Sequence, residues 1–150
     1  MPANSEGACL LIVADNPQIG ADLVALFQRC GFTAATVRNG RSALEYLLRQ
    51  HVDILITDIF MPNGDGLELL REIYQRKIHP RVVVMTGGED TGVPDMLHVA
   101  RLMGAEYTIK KPFKPEQMLQ LVGGMIGANV SINGVLPTDH GGSRILLKPT

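Results

Sequence analysis

A chain of 150 residues that is 45% hydrophobic has room for one domain with a sizeable core. Its formal net charge of −1 leaves no basic footprint for nucleic acid or an anionic membrane surface. No apolar run approaches the roughly 20 residues of a membrane span, and residues 1–8 lack the basic start and apolar stretch of a secretion signal, so a cytoplasmic location is expected.

Cys9 to Ala14 is an apolar run that reads as a first strand. Cys9 and Cys30 have no metal or redox spacing and read as small hydrophobes. Pro17 to Cys30 is a helix, with Ile19, Leu23, Leu26 and Phe27 at helical spacing and Gly31 as its stop. Phe32 to Val37 is β-rich, and Ser42 to Gln50 carries Ala43, Leu44, Leu47 and Leu48 on one helical face. Asp53 to Thr57 is the central strand; its unbroken Ile54-Leu55-Ile56 suits burial on both faces of a parallel sheet. Leu67 to Gln75 is helical, with a stripe of Leu67, Leu70, Ile73 and Tyr74. Val82 to Met85 is another buried strand, ending at Thr86-Gly87-Gly88. A fourth helix is expected from Pro94 through Met96, Leu97, Ala100 and Met103 to Gly104. Tyr107 to Lys110 is a short fifth strand, and Pro115 opens a last helix bearing Met118, Leu119, Val122 and Ile126.

Five such units predict an α/β domain over residues 8–127: a (βα)5 doubly wound, five-stranded parallel sheet of flavodoxin-like order 2-1-3-4-5. Residues 1–7 read as an N-terminal extension. Residues 128–150 break the alternation, with strand-like Val130 to Leu136 and Arg144 to Leu147 around a turn. A hairpin arm, a partner-bound arm and a flexible tail all stay open there.

Polar residues close four of the strands: Asp15 the first, Asp58 the third, Thr86 the fourth and Lys111 the fifth. Strands one and three are neighbours where the winding reverses, so Asp15 and Asp58 face each other across a crevice at the carboxyl edge. Met61-Pro62-Asn63-Gly64 must turn, which leaves Asp58 at the end of its strand. Two carboxylates, a hydroxyl and an ammonium suit a magnesium ion and a phosphoryl group, the cation relieving repulsion between the aspartates. Each residue alone has a plainer reading: Asp15 as turn former, Thr86 as helix cap, Lys111 as a solvated charge. Their placement at equivalent ends of one sheet favours the functional one.

Over roughly residues 8 to 127 the chain resembles the receiver domain of two-component response regulators, of the stand-alone, chemotaxis-regulator-like type. The residues that carry the likeness are Leu10-Leu11-Ile12-Val13-Ala14-Asp15, Asp58-Ile59-Phe60-Met61-Pro62 with Asp65-Gly66, Val84-Met85-Thr86-Gly87, and Gly104-Ala105 followed by Lys111-Pro112-Phe113. The resemblance implies that Asp58 accepts a phosphoryl group from a histidine of a sensor histidine kinase or histidine phosphotransfer protein. It implies Mg²⁺ as cofactor, held by Asp15, Asp58 and the backbone carbonyl of Phe60. It also implies a phosphate contact from Thr86, a charge contact from Lys111 and a cis Lys111-Pro112 peptide. Output would pass to a downstream protein target, with neither nucleic acid nor membrane as partner; a homodimer through apolar residues of the last helix or tail is an open alternative. Such a module is a phosphoprotein switch rather than a dedicated enzyme.

The chain departs from the family pattern in three places. Ala14 stands where the family carries a second acid, which implies weaker Mg²⁺ binding, with Asn16 as the nearest compensating group. Thr108 stands where the family has an aromatic switch residue, and Tyr107 one place earlier would point to the opposite face. The stretch from Thr86 to Ala105 is long, with Gly87 and Gly88 at its start as modulating positions; Phe60 and Gly88 flank the expected path of water to an acyl phosphate. One rival reading is a degenerate receiver acting as a phosphorylation-independent binding module. An enzyme on a doubly wound sheet is disfavoured, because no P-loop, Gly-x-Gly-x-x-Gly or nucleophile-elbow pattern is present.

Overall fold

The computed structural model describes residues 8–59, 61, 66–87, 98 and 100–127. Its five strands are β1 (Cys9–Val13), β2 (Thr33–Val37), β3 (Ile54–Asp58), β4 (Arg81–Thr86) and β5 (Ala105–Lys110). They pair in parallel in the order β2-β1-β3-β4-β5, the doubly wound order the alternation predicts. The helices are α1 (Pro17–Arg29), α2 (Gly40–Arg49), α3 (Gly66–Gln75) and α4 (Pro115–Met125), with further helical residues around Ala100 before β5. None of the described helices is long and apolar enough to cross a membrane. The extensions 1–7 and 128–150, and most of the helix expected from Pro94, lie outside the described residues.

Alternation along the strands divides the core into two layers. Leu10, Ile12, Ile54, Ile56, Val83, Met85 and Ile109 face one side and pack with Leu23, Phe27, Met118 and Val122 of α1 and α4. Leu11, Val13, Leu55, Val82 and Val84 face the other side, with Ala43 and Leu47 of α2 and Leu69, Leu70 and Ile73 of α3. Burial on both faces is what an unbroken apolar strand requires, and it stabilises the molecule by about 25 cal/mol for each Å² of apolar surface removed from water. Phe27 and Phe32 bracket the turn after α1 edge to face, with ring centroids 5.2 Å apart.

Helix ends follow local chemistry. Asn16 Oδ1 accepts from the N–H groups of Gln18 (2.8 Å) and Ile19 (3.3 Å), and Pro17 takes the first helical position. Asn39 Oδ1 accepts from Ser42 N at 2.8 Å, so α2 begins two residues earlier than its apolar spacing predicts. Gly104 reverses the chain into β5 at φ 112°, a left-handed conformation that favours glycine.

Two apolar residues assigned to inner stripes are outside. Leu48 and Tyr74 are exposed, as is Leu102, and these are the exposed large hydrophobics among the described residues. The inner arc of α3 is centred on Gly66, Leu69, Leu70 and Ile73, which leaves Tyr74 a quarter-turn away. Leu48 stands off the Ala43–Leu47 arc of α2 in the same way. None of the three lies on α4, whose large apolar side chains face inward or sit half-buried.

Candidate functional site

Strand register collects the four polar residues at one edge. Val13 pairs with Thr57, Asp58 with Met85 and Thr86 with Lys110, so Asp15, Asp58, Thr86 and Lys111 lie within a residue or two of the same level. They stand at the carboxyl ends of the strands, where an open α/β sheet binds its ligands.

Asp58 is the centre. It is 3% exposed, and each carboxylate oxygen has a donor: Lys111 Nζ lies 2.8 Å from Oδ1, and the main-chain N–H of Asp15 donates to Oδ2 at 3.2 Å. Burying a carboxylate is costly unless it is paired and hydrogen-bonded, and these donors meet both needs. The Lys111 side chain is the more open partner. Its main chain is held by a bond from Lys111 N to the Thr86 carbonyl at 2.7 Å and precedes a cis Lys111-Pro112 peptide. Thr86 is buried at the end of β4. Gly87 follows it onto the wall of a cleft of about 530 Å³, shared with Lys111, Phe113 and Asp22.

On the β1 side, Asp15 is exposed while Ala14 is part of the core, its N–H bonded to the Val37 carbonyl at 3.1 Å. Asn16, the nearest group to compensate for the missing acid, is engaged at the start of α1. Its carboxamide oxygen serves as the cap of α1, turned towards the helix N–H groups. Among the described residues no group of three or more His, Cys, Asp or Glu gathers as a metal site. Asp15 and Asp58 offer carboxylate oxygens alone, an all-oxygen donor type. That type fits Mg²⁺, a hard cation that keeps several of its waters. Phe60, expected as the carbonyl ligand, and Gly88 lie outside the described residues.

Thr108 and Tyr107 take opposite faces of β5. Thr108 pairs with Val84, while Tyr107 pairs with Val83 and packs against the α1–α4 layer. The register shifts between Val82, opposite Ala105, and Val83, opposite Tyr107, so Glu106 is an extra residue in a β-bulge. No periodicity argument marks that bulge in advance. Two further residues surround Asp58 from behind. Gly66 N donates to the Ile59 carbonyl at 2.9 Å, and a Cβ at Gly66 would run into the carbonyl of Asp58 and the backbone of Ile59. Asp65-Gly66 in the motif was the sequence signal for that close approach. Thr57, fully buried, donates its hydroxyl to the Asp58 carbonyl at 2.9 Å; a threonine in a β-rich run carries no such signal.

Known proteins resemble this chain over most of its length. A family model described as the response regulator receiver domain matches residues 10–123. The DNA-binding transcriptional regulator NtrC of Escherichia coli (strain K12) is 34% identical over 131 residues, covering 82% of this chain and 27% of that protein. The regulatory protein VanRc of Enterococcus gallinarum is 30% identical over 113 residues, covering 75% of this chain and 47% of that protein. The chain thus spans under half the length of either curated relative. Among solved structures, the Vibrio cholerae chemotaxis protein CheY4 superposes with a TM-score of 0.69 at 25% identity, covering 77% of this chain and 95% of that one.

Proposed function

The chain belongs to the response regulator receiver domain family, and on that premise we propose that Asp58 accepts a phosphoryl group from a phosphohistidine of a sensor kinase or histidine phosphotransfer protein. Receiver domains are signalling modules of two-component systems. The observation that carries the reading is the buried Asp58 carboxylate at the sheet edge, held between Lys111 Nζ and the Asp15 N–H.

In the proposed transfer, one carboxylate oxygen of Asp58 forms a bond to phosphorus as the P–N bond to the donor imidazole breaks. The imidazole leaves with that electron pair and takes up a proton. The protein does little covalent work, and its task is alignment and neutralisation of charge. Lys111 supplies a cation next to the attacking carboxylate, and Asp15 N–H restricts its rotation. Asp15 and Asp58, with the Phe60 carbonyl, would hold Mg²⁺, which when bound neutralises charge on the transferring group. The product acyl phosphate places new charge and acceptor oxygens beside Thr86 and Gly87. Their movement would re-shape the surface formed by β5, α4 and the segment between the last two strands, altering contact with a protein target.

A second reading, a binding module that works without phosphate, is favoured by Ala14, a buried apolar residue where the family pattern has a second acid. Incubation with acetyl phosphate, with and without Mg²⁺, separates the two. A Mg²⁺-dependent mass gain of one phosphoryl group, absent in Asp58→Asn, is the expected result. No gain at any Mg²⁺ concentration in the folded protein would favour the phosphate-independent module.

A further inference from the structure

Thr57 is a fully buried polar residue whose hydroxyl the proposed chemistry does not use. Its side chain faces the α2–α3 layer, opposite to Asp58, because neighbours on a strand alternate. Its Oγ1 nevertheless reaches forward and donates to the main-chain carbonyl of Asp58 at 2.9 Å.

The ladder explains why that carbonyl needs a donor. Ala14 N–H turns towards β2, where it meets the Val37 carbonyl. The next N–H, that of Asp15, therefore turns towards β3, and the regular continuation of a parallel ladder would carry it to the Asp58 carbonyl. It is found instead on the Asp58 carboxylate, 3.2 Å from Oδ2. The side chain has taken the rung that the main chain would have had. A buried carbonyl left without a donor costs free energy comparable to a lost hydrogen bond. The Thr57 hydroxyl fills that vacancy, and Gly66 packs over the same carbonyl from the α3 side.

We infer that Thr57 is a positioning residue for the phosphoacceptor: by satisfying the Asp58 carbonyl it releases the Asp15 N–H to orient the carboxylate. The inference rests on the proposed role of Asp58 for its kinetic consequence, but not for its structural one. Without the hydroxyl, the Asp15 N–H is drawn back to the carbonyl. Oδ2 then loses its donor, and the carboxylate is oriented by Lys111 alone.

The test compares Thr57→Val, which keeps the shape and removes the hydroxyl, with Thr57→Ser, which keeps the hydroxyl and removes a methyl. Two quantities are read: the Asp15 amide resonance in ¹⁵N-labelled protein, and the rate of phosphoryl uptake from acetyl phosphate at saturating Mg²⁺. The expected result for Thr57→Val is a displaced Asp15 amide signal and about tenfold slower uptake, small misplacements of reacting groups being costly. Thr57→Ser restores both even if it is the less stable variant. An unmoved Asp15 amide in Thr57→Val overturns the inference, as does Thr57→Ser behaving like Thr57→Val, which would make the methyl group the active feature. If the unaltered protein takes up no phosphoryl group, the phosphoacceptor reading fails, and the amide signals alone still decide the role of Thr57.

Discussion

At the scale of single residues, the site depends on groups that leave no slack. Gly66 lies so close to the backbone of Asp58 and Ile59 that any side chain must push the strand end away. Gly66→Ala is therefore expected to lose about 3 kcal/mol, the upper end of overpacking costs, in urea unfolding, and to slow phosphoryl uptake by displacing Asp58. Lys111 is the ammonium nearest a carboxylate that is otherwise buried. Lys111→Ala is expected to lose about 2 kcal/mol, as for one hydrogen bond to a charged group, together with most of the uptake rate. Equal uptake by Lys111→Ala and the unaltered protein would count against the charge-neutralising role. How much of this was legible differs by residue. Asp15, Asp58, Thr86 and Lys111 could be read from strand-terminal polarity alone. Thr57 could not, because its role depends on which N–H the neighbouring strand turns towards it.

At the scale of elements, caps and the bulge determine where side chains end up. Asn16 has one set of lone pairs to give, and α1 uses it. Asn16→Ala is expected to lose about 1 kcal/mol, whereas Asn16→Ser keeps a capping oxygen and most of the stability. Titration calorimetry should find the same Mg²⁺ affinity for Asn16→Ser as for the unaltered chain; a clear drop would make Asn16 a metal ligand after all. The bulge at Glu106 is held by Arg81, whose guanidinium pairs with Glu106 at 2.7 Å and donates to the Met125 carbonyl at 2.6 Å. Arg81 thereby joins β4, β5 and the end of α4. Because the ion pair is well exposed, its contribution is about 1 kcal/mol at most. The stripes expected on α2 and α3 differ from the buried arcs for a related reason: leucine and tyrosine at helical spacing do not reveal where the inner arc is centred, and Leu48 and Tyr74 fall outside it.

At the scale of the whole molecule, folding links to proton binding and, on the proposed function, to metal binding. The Cys9 thiol is pushed up by burial and by the nearby Asp53 carboxylate, and the Cys30 thiol by burial, against a lowering contribution from Arg29. Folded thiols hold their protons where unfolded thiols near the usual value of 9.0 release them. Their stabilising contribution is thus fully present below that value and is lost as pH rises through the folded pKa values. A urea midpoint that falls more steeply between pH 8 and pH 10 than in the Cys9→Ser, Cys30→Ser variant is the expected observation. If Mg²⁺ binds the folded site alone, as proposed, it should raise the thermal midpoint in a concentration-dependent way. That rise should shrink in Asp15→Asn and grow in Ala14→Asp, which supplies the second acid of the family pattern; equal shifts in all three would mean the ion binds elsewhere.

The periodicity of apolar residues by itself determined the α/β class, the strand and helix order and the parallel sheet, because a strand buried on both faces must be apolar throughout. Strand-terminal polarity named the candidate members of the site, since residues at or just past the carboxyl end of a strand reach the crevice. Tertiary structure decided the rest: which oxygen of Asp58 meets which donor, that Asn16 caps a helix and that Glu106 bulges. Those outcomes depend on register and on competition between donors for the same acceptor. Both are properties of neighbouring strands brought together by folding, and neither is written in the spacing of one.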